Sequence, residues 1–325
     1  MINSSLIKRI FAAALILAVM PVPSAFAETG GDITPGSVTV NDLAVTPGLD
    51  ESWVNILFLG VNSLEITASS RAGTMIICSV NKSTGAVKLT SLLGDTEAVI
   101  AGKGRRLSTA YAYGGARLAV KAVNENFGMN ITGYVVVDFT GFAHLVDKIG
   151  GIEADLTKEE AAAINRAVID QYEKLVRQGN ITELEDAKFG YNAALLPEDG
   201  GKKIHLNGAQ TLAYARVSTG DGDIGRAGRQ RNALNLLMAK LKTRGMLELL
   251  DLLFASMDVM QINLDVNTIM ALGMRILLGE GLSGAGTFTL PVQGTYREER
   301  SNDGTMLRGV DFDANRRALY SFIYR

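Results

Sequence analysis

Only one cysteine, Cys78, and two histidines, His144 and His205, occur in this chain. A lone cysteine excludes an intramolecular disulfide, and neither histidine has a Cys or His neighbour at zinc-ligand spacing. Cys78 lies within Thr74-Met-Ile-Ile-Cys-Ser-Val80 and reads as a small core residue of a buried strand, not a nucleophile. No Gly-x-Ser-x-Gly elbow accompanies the histidines, so a Ser-His-Asp hydrolase has no support. Prolines are few, six in 325 residues, and low-complexity runs are absent, which argues against disorder. No repeat appears at a solenoid or propeller period. An excess of either charge is also lacking: 32 Lys and Arg face 34 Asp and Glu, for a formal charge of −2. Without a global basic field, nucleic-acid binding is not expected.

The N-terminus is short of a comfortable membrane span. Its apolar run, Ile10 to Met20, falls below the ~20 residues that a span needs. Lys8 and Arg9 precede the run, and Ala25-Phe26-Ala27 supplies a cleavage site of small residues. Residues 1–27 therefore read as a signal peptide cleaved after Ala27, with an uncleaved membrane anchor as the alternative. An exported protein of the cell envelope is the expectation. Residues 28–50 are polar and punctuated by Gly and Pro, and read as a linker. Residues 51–325 read as a single domain, since no second linker divides them.

Within that stretch, hydrophobic patterning predicts strands mixed with helices. Val54–Gly60, Thr74–Val80, Ala86–Leu92, Tyr134–Asp138 and Ile152–Leu156 read as strands, with Thr287–Val292 and Thr305–Arg308 near the end. Asn81–Gly85 reads as a hairpin turn, and Gly94–Ser108 as a loop. Helices are expected over 116–127, 139–149, 158–177, 207–215, 226–244, 245–257, 265–278 and 312–324. Gly150-Gly151 is placed to stop the second of them. Residues 179–204 read as an irregular polar insertion. An α/β layered domain follows.

Leu206-Asn-Gly-Ala-Gln-Thr-Leu-Ala-Tyr-Ala-Arg216, followed by Gly220-Asp-Gly-Asp-Ile-Gly-Arg226-Ala-Gly-Arg229-Gln230-Arg231, carries the most information. Solvated helix faces mix Lys with Glu, and this segment has neither. Arg offers a rigid fork of donors suited to phosphate oxygens, and Gly lets backbone approach a ligand. Arg226, Arg229 and Gln230 share one face at the start of their helix, where Asp223 is a plausible N-cap. Free N–H groups there favour an anion. A structural network of these arginines with Asp221 and Asp223 explains the same residues, and the segment alone leaves the two readings even.

The motifs Leu206-Asn-Gly-x-Gln-x-Leu-x-Tyr-Ala-Arg216 and Asp223-x-Gly-Arg226-x-x-Arg229-Gln230 resemble the LytR-CpsA-Psr family of cell-envelope proteins. Asn55-Ile-Leu-Phe-Leu-Gly60, Arg71-x-x-Thr-Met75, Ala110-Tyr-Ala-Tyr-Gly-Gly115, Tyr134-Val-Val-Val-Asp-Phe139 and Leu145-Val-Asp-x-x-Gly-Gly-Ile152 extend the resemblance in the same order. It covers roughly Val54 to Leu241, with 245–325 as an extension. The resemblance implies a three-layer α-β-α fold with a mixed central sheet. It implies a pocket for a polyprenyl tail, with arginines at its mouth that grip pyrophosphate. It also implies transfer of a glycopolymer phosphate from a polyprenyl-pyrophosphate carrier to peptidoglycan, usually with Mg²⁺, at a membrane surface reached through the lipid. Arg71, Arg106, Arg216, Arg226, Arg229 and Gln230 match phosphate-gripping positions. Asp95, Arg216 and Arg229 are the expected catalytic set, with Asp95 and Asn62 as the expected metal ligands.

This chain departs from the family pattern on one side of the site. Asn62 stands where the family has Asp, and Gly73 replaces the acid of Arg-Ser-Asp-Thr-Met. Pro-Arg-Asp-Thr becomes Leu93-Gly94-Asp95-Thr96, and Ser218 replaces the second Arg of Tyr-Ala-Arg-x-Arg. Hard cations want charged oxygen ligands, so the loss of two acids weakens the case for Mg²⁺. Three readings stay open: a transferase with a rearranged site that recruits Glu65, Arg105 or Arg106; a non-catalytic lipid-pyrophosphate-binding or regulatory protein; and a hydrolase that releases polymer to water.

Overall fold

The computed structural model describes residues 34–61, 70–177, 195–217, 219–220, 228–229, 232–233, 236–237, 239–240, 244, 248, 252, 260–278, 286–301 and 304–325. These fall into two compact units. The first comprises the chain up to Asp138 together with Met260–Arg325, and the second is Phe139–Val259.

The first unit is organised by a six-stranded sheet. Its strands are β1 (Trp53–Val61), β2 (Ala72–Asn81), β3 (Val87–Leu92), β6 (Gly133–Val137), β9 (Met260–Ile262) and β10 (Gly286–Leu290), in the order β10-β3-β2-β1-β6-β9. The β1–β2, β2–β3 and β6–β9 pairs are antiparallel, and β1–β6 and β10–β3 are parallel, so the sheet is mixed. The β2–β3 turn is built by Asn81. Its side-chain oxygen accepts the Ser83 and Thr84 amides at 2.9 and 3.0 Å.

Strand register sorts the side chains into two faces. Leu57, Leu59, Met75, Ile77, Leu92 and Val136 share one face, and Ile56, Ile76, Cys78, Leu89, Val135 and Val137 share the other. All twelve are buried. A sheet apolar on both faces is a central layer, and the α/β layered reading holds. On the first face lie α1 (Ala110–Phe127) and α6 (Phe312–Tyr324), through Leu118, Ala119, Val123, Phe127, Leu319 and Ile323. Cys78 is inert core, as its sequence pattern predicts: burial pushes its thiol up to about 12.

Two expectations change. Residues 94–108 are not a plain loop. They form a small antiparallel hairpin, β4 (Glu97–Ile100) and β5 (Lys103–Arg106), followed by a 3-10 turn over Leu107–Thr109. Ala101 and Gly102 both adopt positive φ, 49° and 79°, the geometry of a two-residue hairpin turn. The described part of the expected linker is a packed segment, not a free tether. The Gly36 and Val38 amides donate to the carbonyls of Ala112 and Tyr113, Arg117 and Asn124 reach back to the Val40 and Leu43 carbonyls, and Val38, Val40 and Leu43 pack on the core. Another small ribbon, β11 (Arg297–Ser301) with β12 (Gly304–Arg308), adds a strand before the expected 305–308. It lies outside the central sheet.

The second unit contains α2 (Phe139–Ile149), β7 (Ile152–Leu156), α3 (Lys158–Arg177), β8 (Gly201–Leu206) and α4 (Gly208–Arg216). β7 and β8 pair antiparallel, so the insertion expected at 179–204 ends in a strand. Gly150 and Gly151 follow α2 with φ of 85° and 69°, the left-handed stop expected of them. α4 opens on a capping box: Asn207 accepts the Gln210 amide, and the Gln210 side chain accepts the Asn207 amide. A further helix, α5 (Val266–Leu278), is predicted over 265–278 and belongs to the first unit.

Candidate functional site

In the first unit the candidate residues gather around the β4–β5 hairpin. Successive side chains of a strand alternate, so β5 presents Arg105 and Arg106 in opposite directions. Arg106 is 4% exposed, and its Nη1 donates to Asp95 Oδ1 at 2.7 Å and to the Thr305 carbonyl. Asp95, 46% exposed, sits in the turn between β3 and β4. Its carbonyl accepts the Leu307 amide at 3.0 Å, and Thr96 bridges Leu307. Arg308 pairs with Glu97 at 2.9 Å. The C-terminal strand β12 therefore braces the Asp95 turn, and Arg106 joins the two.

Arg105, on the opposite side, lies over the ring of Tyr113, its guanidinium carbon 4.9 Å from the centroid, and donates to Tyr113 Oη at 3.3 Å. Tyr113 is held by the first turn of α1. That turn breaks immediately afterwards, because Gly114 and Gly115 leave helical geometry and Gly115 takes φ 63°. The helix expected from 116 begins before these glycines, at Ala110. Both tyrosines of the motif are buried, and burial with the nearby charge of Asp138 pushes Tyr111 up to about 12. Arg71 is buried and engaged immediately before β2.

Of the expected Mg²⁺ ligands, the described residues include Asp95 alone. Asn62 lies outside the described residues, and Gly73 brings no side chain to β2. Asp95 has its Oδ1 committed to Arg106. No group of three or more Asp, Glu, His or Cys side chains assembles among the described residues. Any Mg²⁺ here would rely on Asp95 together with substrate phosphates and water.

In the second unit, α4 ends on Arg216, as expected, where a cation complements the C-terminal dipole. The Arg216 guanidinium lies 4.3 Å from the centroid of the Phe139 ring at the start of α2. Its side chain keeps solvent exposure, although packing around it lowers its pKa through desolvation. A guanidinium remains charged at neutral pH regardless. Gly208 sets the position of this helix: a Cβ there would lie 1.9 Å from the Ala143 carbonyl oxygen. The Gly208 amide donates to Asp147 Oδ1 at 2.6 Å, which ties α4 to the end of α2.

Arg229 is placed differently. It is 4% exposed; its Nη2 donates to the Val217 carbonyl at 2.7 Å, and its Nη1 pairs with Glu160 of α3 at 3.4 Å. Residues 228 and 229 are helical, as predicted, and Ala233 and Leu237 are buried. The structural alternative for this arginine involves Glu160, a residue that the local sequence does not suggest. Arg226, Gln230, Asp221, Asp223 and Ser218 lie outside the described residues.

Sequence reasoning missed Tyr113 as a partner for Arg105. The alternation of two arginines in a strand was the available signal, and the reading of 94–108 as a loop concealed it.

The LytR_cpsA_psr family pattern matches residues 28–316. The polyisoprenyl-teichoic acid–peptidoglycan teichoic acid transferase TagU of Halalkalibacterium halodurans is 30% identical over 188 residues, covering 57% of this chain and 52% of that protein. The regulatory protein MsrR of Staphylococcus aureus strain Mu50 is 24% identical over 283 residues, 85% of this chain and 76% of MsrR. This chain thus spans about half the length of the curated TagU it matches. Among solved structures, Bacillus subtilis TagV superposes with a TM-score of 0.56 at 20% identity, covering 85% of this chain and 99% of TagV. A structure of TagT bound to LIIa-WTA superposes with a TM-score of 0.52 at 17% identity, over 92% of this chain and all of that one. The mixed sheet and the Asn207-capped helix ending in Arg216 agree with a match that runs over most of the sequence, and the chain belongs to the LytR_cpsA_psr family.

Proposed function

We propose that this protein transfers a glycopolymer phosphate from a polyprenyl-pyrophosphate carrier to a sugar hydroxyl of peptidoglycan, outside the cytoplasm. The observation that carries the reading is Arg216: an exposed guanidinium on a rigid, capped helix, in a chain of this family. In the reaction the hydroxyl oxygen attacks the phosphorus that bears the glycopolymer. The bond from that phosphorus to the bridging oxygen breaks, polyprenyl monophosphate leaves with the electron pair, and the hydroxyl proton passes to solvent. Little covalent chemistry is asked of the protein, so positioning and neutralisation of charge on the phosphates dominate. Arg216 is the phosphate-binding cation proposed from its own geometry, and Arg71 and Arg106 are proposed as phosphate-binding residues from the family motif. Asp95 orients Arg106, and Arg229 holds its own segment through Glu160 as a positioning residue. Arg226 and Gln230 are proposed from the family motif alone, and Mg²⁺ enters no step. Residues 1–27 direct export, and the lipid tail of the substrate brings the protein to the membrane surface.

A second reading, a binding or regulatory protein without turnover, is favoured by Gly73 and Gly94, which leave the first unit without an acid and an arginine of the family pattern. One assay separates the two: release of polyprenyl monophosphate from a labelled polyprenyl-pyrophosphate oligosaccharide by the full chain, with and without peptidoglycan and Mg²⁺. Release that depends on peptidoglycan and falls in Arg216→Ala supports the transferase. Release without peptidoglycan identifies a hydrolase. Absence of release, where an intact relative turns over, identifies the binding protein.

A further inference from the structure

Arg106 is held by Asp95, and Arg229 by Glu160. Arg105 is buried to the same degree, 8% exposed, yet among the described residues it meets no carboxylate. Among the described residues it donates one hydrogen bond, to Tyr113 Oη, and its Nε is buried with no hydrogen-bond partner there. A hydroxyl and an aromatic face offset only part of the desolvation of a full charge, and a guanidinium cannot escape by losing its proton. The fold therefore holds a cation that finds no counter-charge among the described residues, and at least one of its N–H donors is unused. Such a group is poised to receive an anion.

Its surroundings specify the anion's context. Arg105 is next to Arg106 on β5 but on the opposite side of the strand from Leu93-Gly94-Asp95-Thr96, whose acid Arg106 binds and which lacks the family's arginine. Position 94 is crowded against Ser108, which would have to give by a few tenths of an ångström to admit a side chain. A Cβ there would lie 3.0 Å from Ser108 Cβ, and the Ser108 amide donates to the Gly94 carbonyl at 2.9 Å. The turn that follows β5 thus fills the space where a side chain at 94 would begin. Building on the transferase reading above, we propose that Arg105 binds a phosphate oxyanion of the lipid-linked pyrophosphate and supplies the charge that Gly94 does not, with Tyr113 as its positioning residue.

Three variants test this in the full chain in detergent: Arg105→Met, which keeps length and removes charge, Arg105→Lys and Tyr113→Phe. Titration with inorganic pyrophosphate and with a short polyprenyl pyrophosphate reads affinity, and thermal unfolding without ligand reads stability. The methionine variant is expected to bind pyrophosphate at least ~10-fold more weakly while its Tm stays level or rises, because removing a desolvated charge with no carboxylate partner among the described residues offsets the loss of the long hydrogen bond to Tyr113. Lysine, a point charge without the planar fork, recovers part of the affinity. Phenylalanine keeps the ring and costs roughly two- to fourfold, as one neutral hydrogen bond does. Unchanged affinity in Arg105→Met, or a wild-type chain that binds no pyrophosphate, overturns the assignment. A fall in Tm with affinity intact makes Arg105 structural and overturns it equally. Should the methionine variant not fold, the lysine and phenylalanine chains decide: unchanged affinity in both sinks the proposal. Wild type that binds pyrophosphate through Arg105 yet releases no polyprenyl phosphate overturns the transferase reading and leaves Arg105 in place. Turnover that is equal in wild type and Arg105→Met does the reverse.

Discussion

Arg105 and Arg229 are buried guanidiniums, one in each compact unit, and they differ in what faces them. Arg229 has Glu160 and the Val217 carbonyl, so its charge is met inside the protein. Arg105 has a tyrosine. A clustered arginine motif points to Arg229 as a ligand-binding residue, yet the packing gives it the environment of a structural tie. Arg105 lies in a segment that reads as a loop, and it has the environment of a group waiting for an anion. Motif density and unmet charge are therefore separate signals, and the second is visible only once neighbours are known.

The largest expected effect tests whether the second unit is as rigid as this contrast requires. Gly208→Ala would drive a methyl group into the Ala143 carbonyl, since the Cβ position lies 1.9 Å from that oxygen. Backbone must move, and a loss above ~4 kcal/mol is expected by denaturant unfolding. A loss below about 1 kcal/mol would show that α2 and α4 separate easily and that Arg216 is not rigidly held. Next comes Arg216→Ala, with turnover expected to fall ~10²–10³-fold and stability by no more than about 1 kcal/mol, the scale of its contact with the Phe139 ring. Initial-rate kinetics on folded protein checks it, and a change in stability without a change in rate would place Arg216 among the structural residues.

Arg229→Ala should behave in the opposite sense. Glu160 would be left buried without its cation, at 15% exposure, and a stability loss of roughly 3 kcal/mol is expected. Changing Glu160 to Gln should reproduce much of that loss, since the guanidinium is then the orphan. A double variant, Arg229→Met with Glu160→Leu, should recover part of it, because replacing a whole buried pair with apolar side chains is often neutral. If Arg229→Ala left stability untouched and abolished pyrophosphate binding, the two buried arginines would have the same role, and the contrast between them would fail.

Much of this arrangement is legible in the sequence. Long periodic segments were placed well: α2 and α6 coincide with predicted ranges, and β1, β2 and β3 differ from theirs by a few residues at their ends. Apolar alternation and capping signals are local, so a sequence displays them. The Asn207 start of α4 was legible for that reason, and so was its Arg216 end. Short elements held by partners far along the chain were not. β4 and β5 have four residues each, β9 has three, and β8 hides in a polar stretch because its partner is β7. The same limit applies to the site. Arg216 is at a helix end that sequence can locate, whereas Glu160 beside Arg229 is 69 residues away. Tyr113 is only eight residues from Arg105, but their meeting depends on a two-residue turn and on a helix that begins before its glycines.

The smallest effect concerns Asp147, which fastens the start of α4 and so sharpens the same question of where charge is tolerated. Its Oδ1 accepts the Gly208 amide, and its Oδ2 is buried without a hydrogen-bond partner among the described residues. Burial raises its pKa above the ordinary 3.8, against the lowering effects of the Gly208 hydrogen bond and of His205. A carboxyl whose folded pKa exceeds its unfolded one binds protons more tightly in the native state. Its contribution therefore weakens the fold as pH rises from 3.8 through the raised folded value, and the penalty vanishes again below 3.8. Asp147→Asn keeps an oxygen for the Gly208 amide and removes the titration. The stability of the variant relative to wild type should therefore shift in its favour as pH increases across that window, and level off above it. Urea unfolding at a series of pH values measures the difference directly. A difference that is flat with pH would mean that Asp147 carries its charge in the folded protein at no cost, and that burial in the second unit is less severe for an unpaired acid oxygen than the arrangement around Arg229 implies.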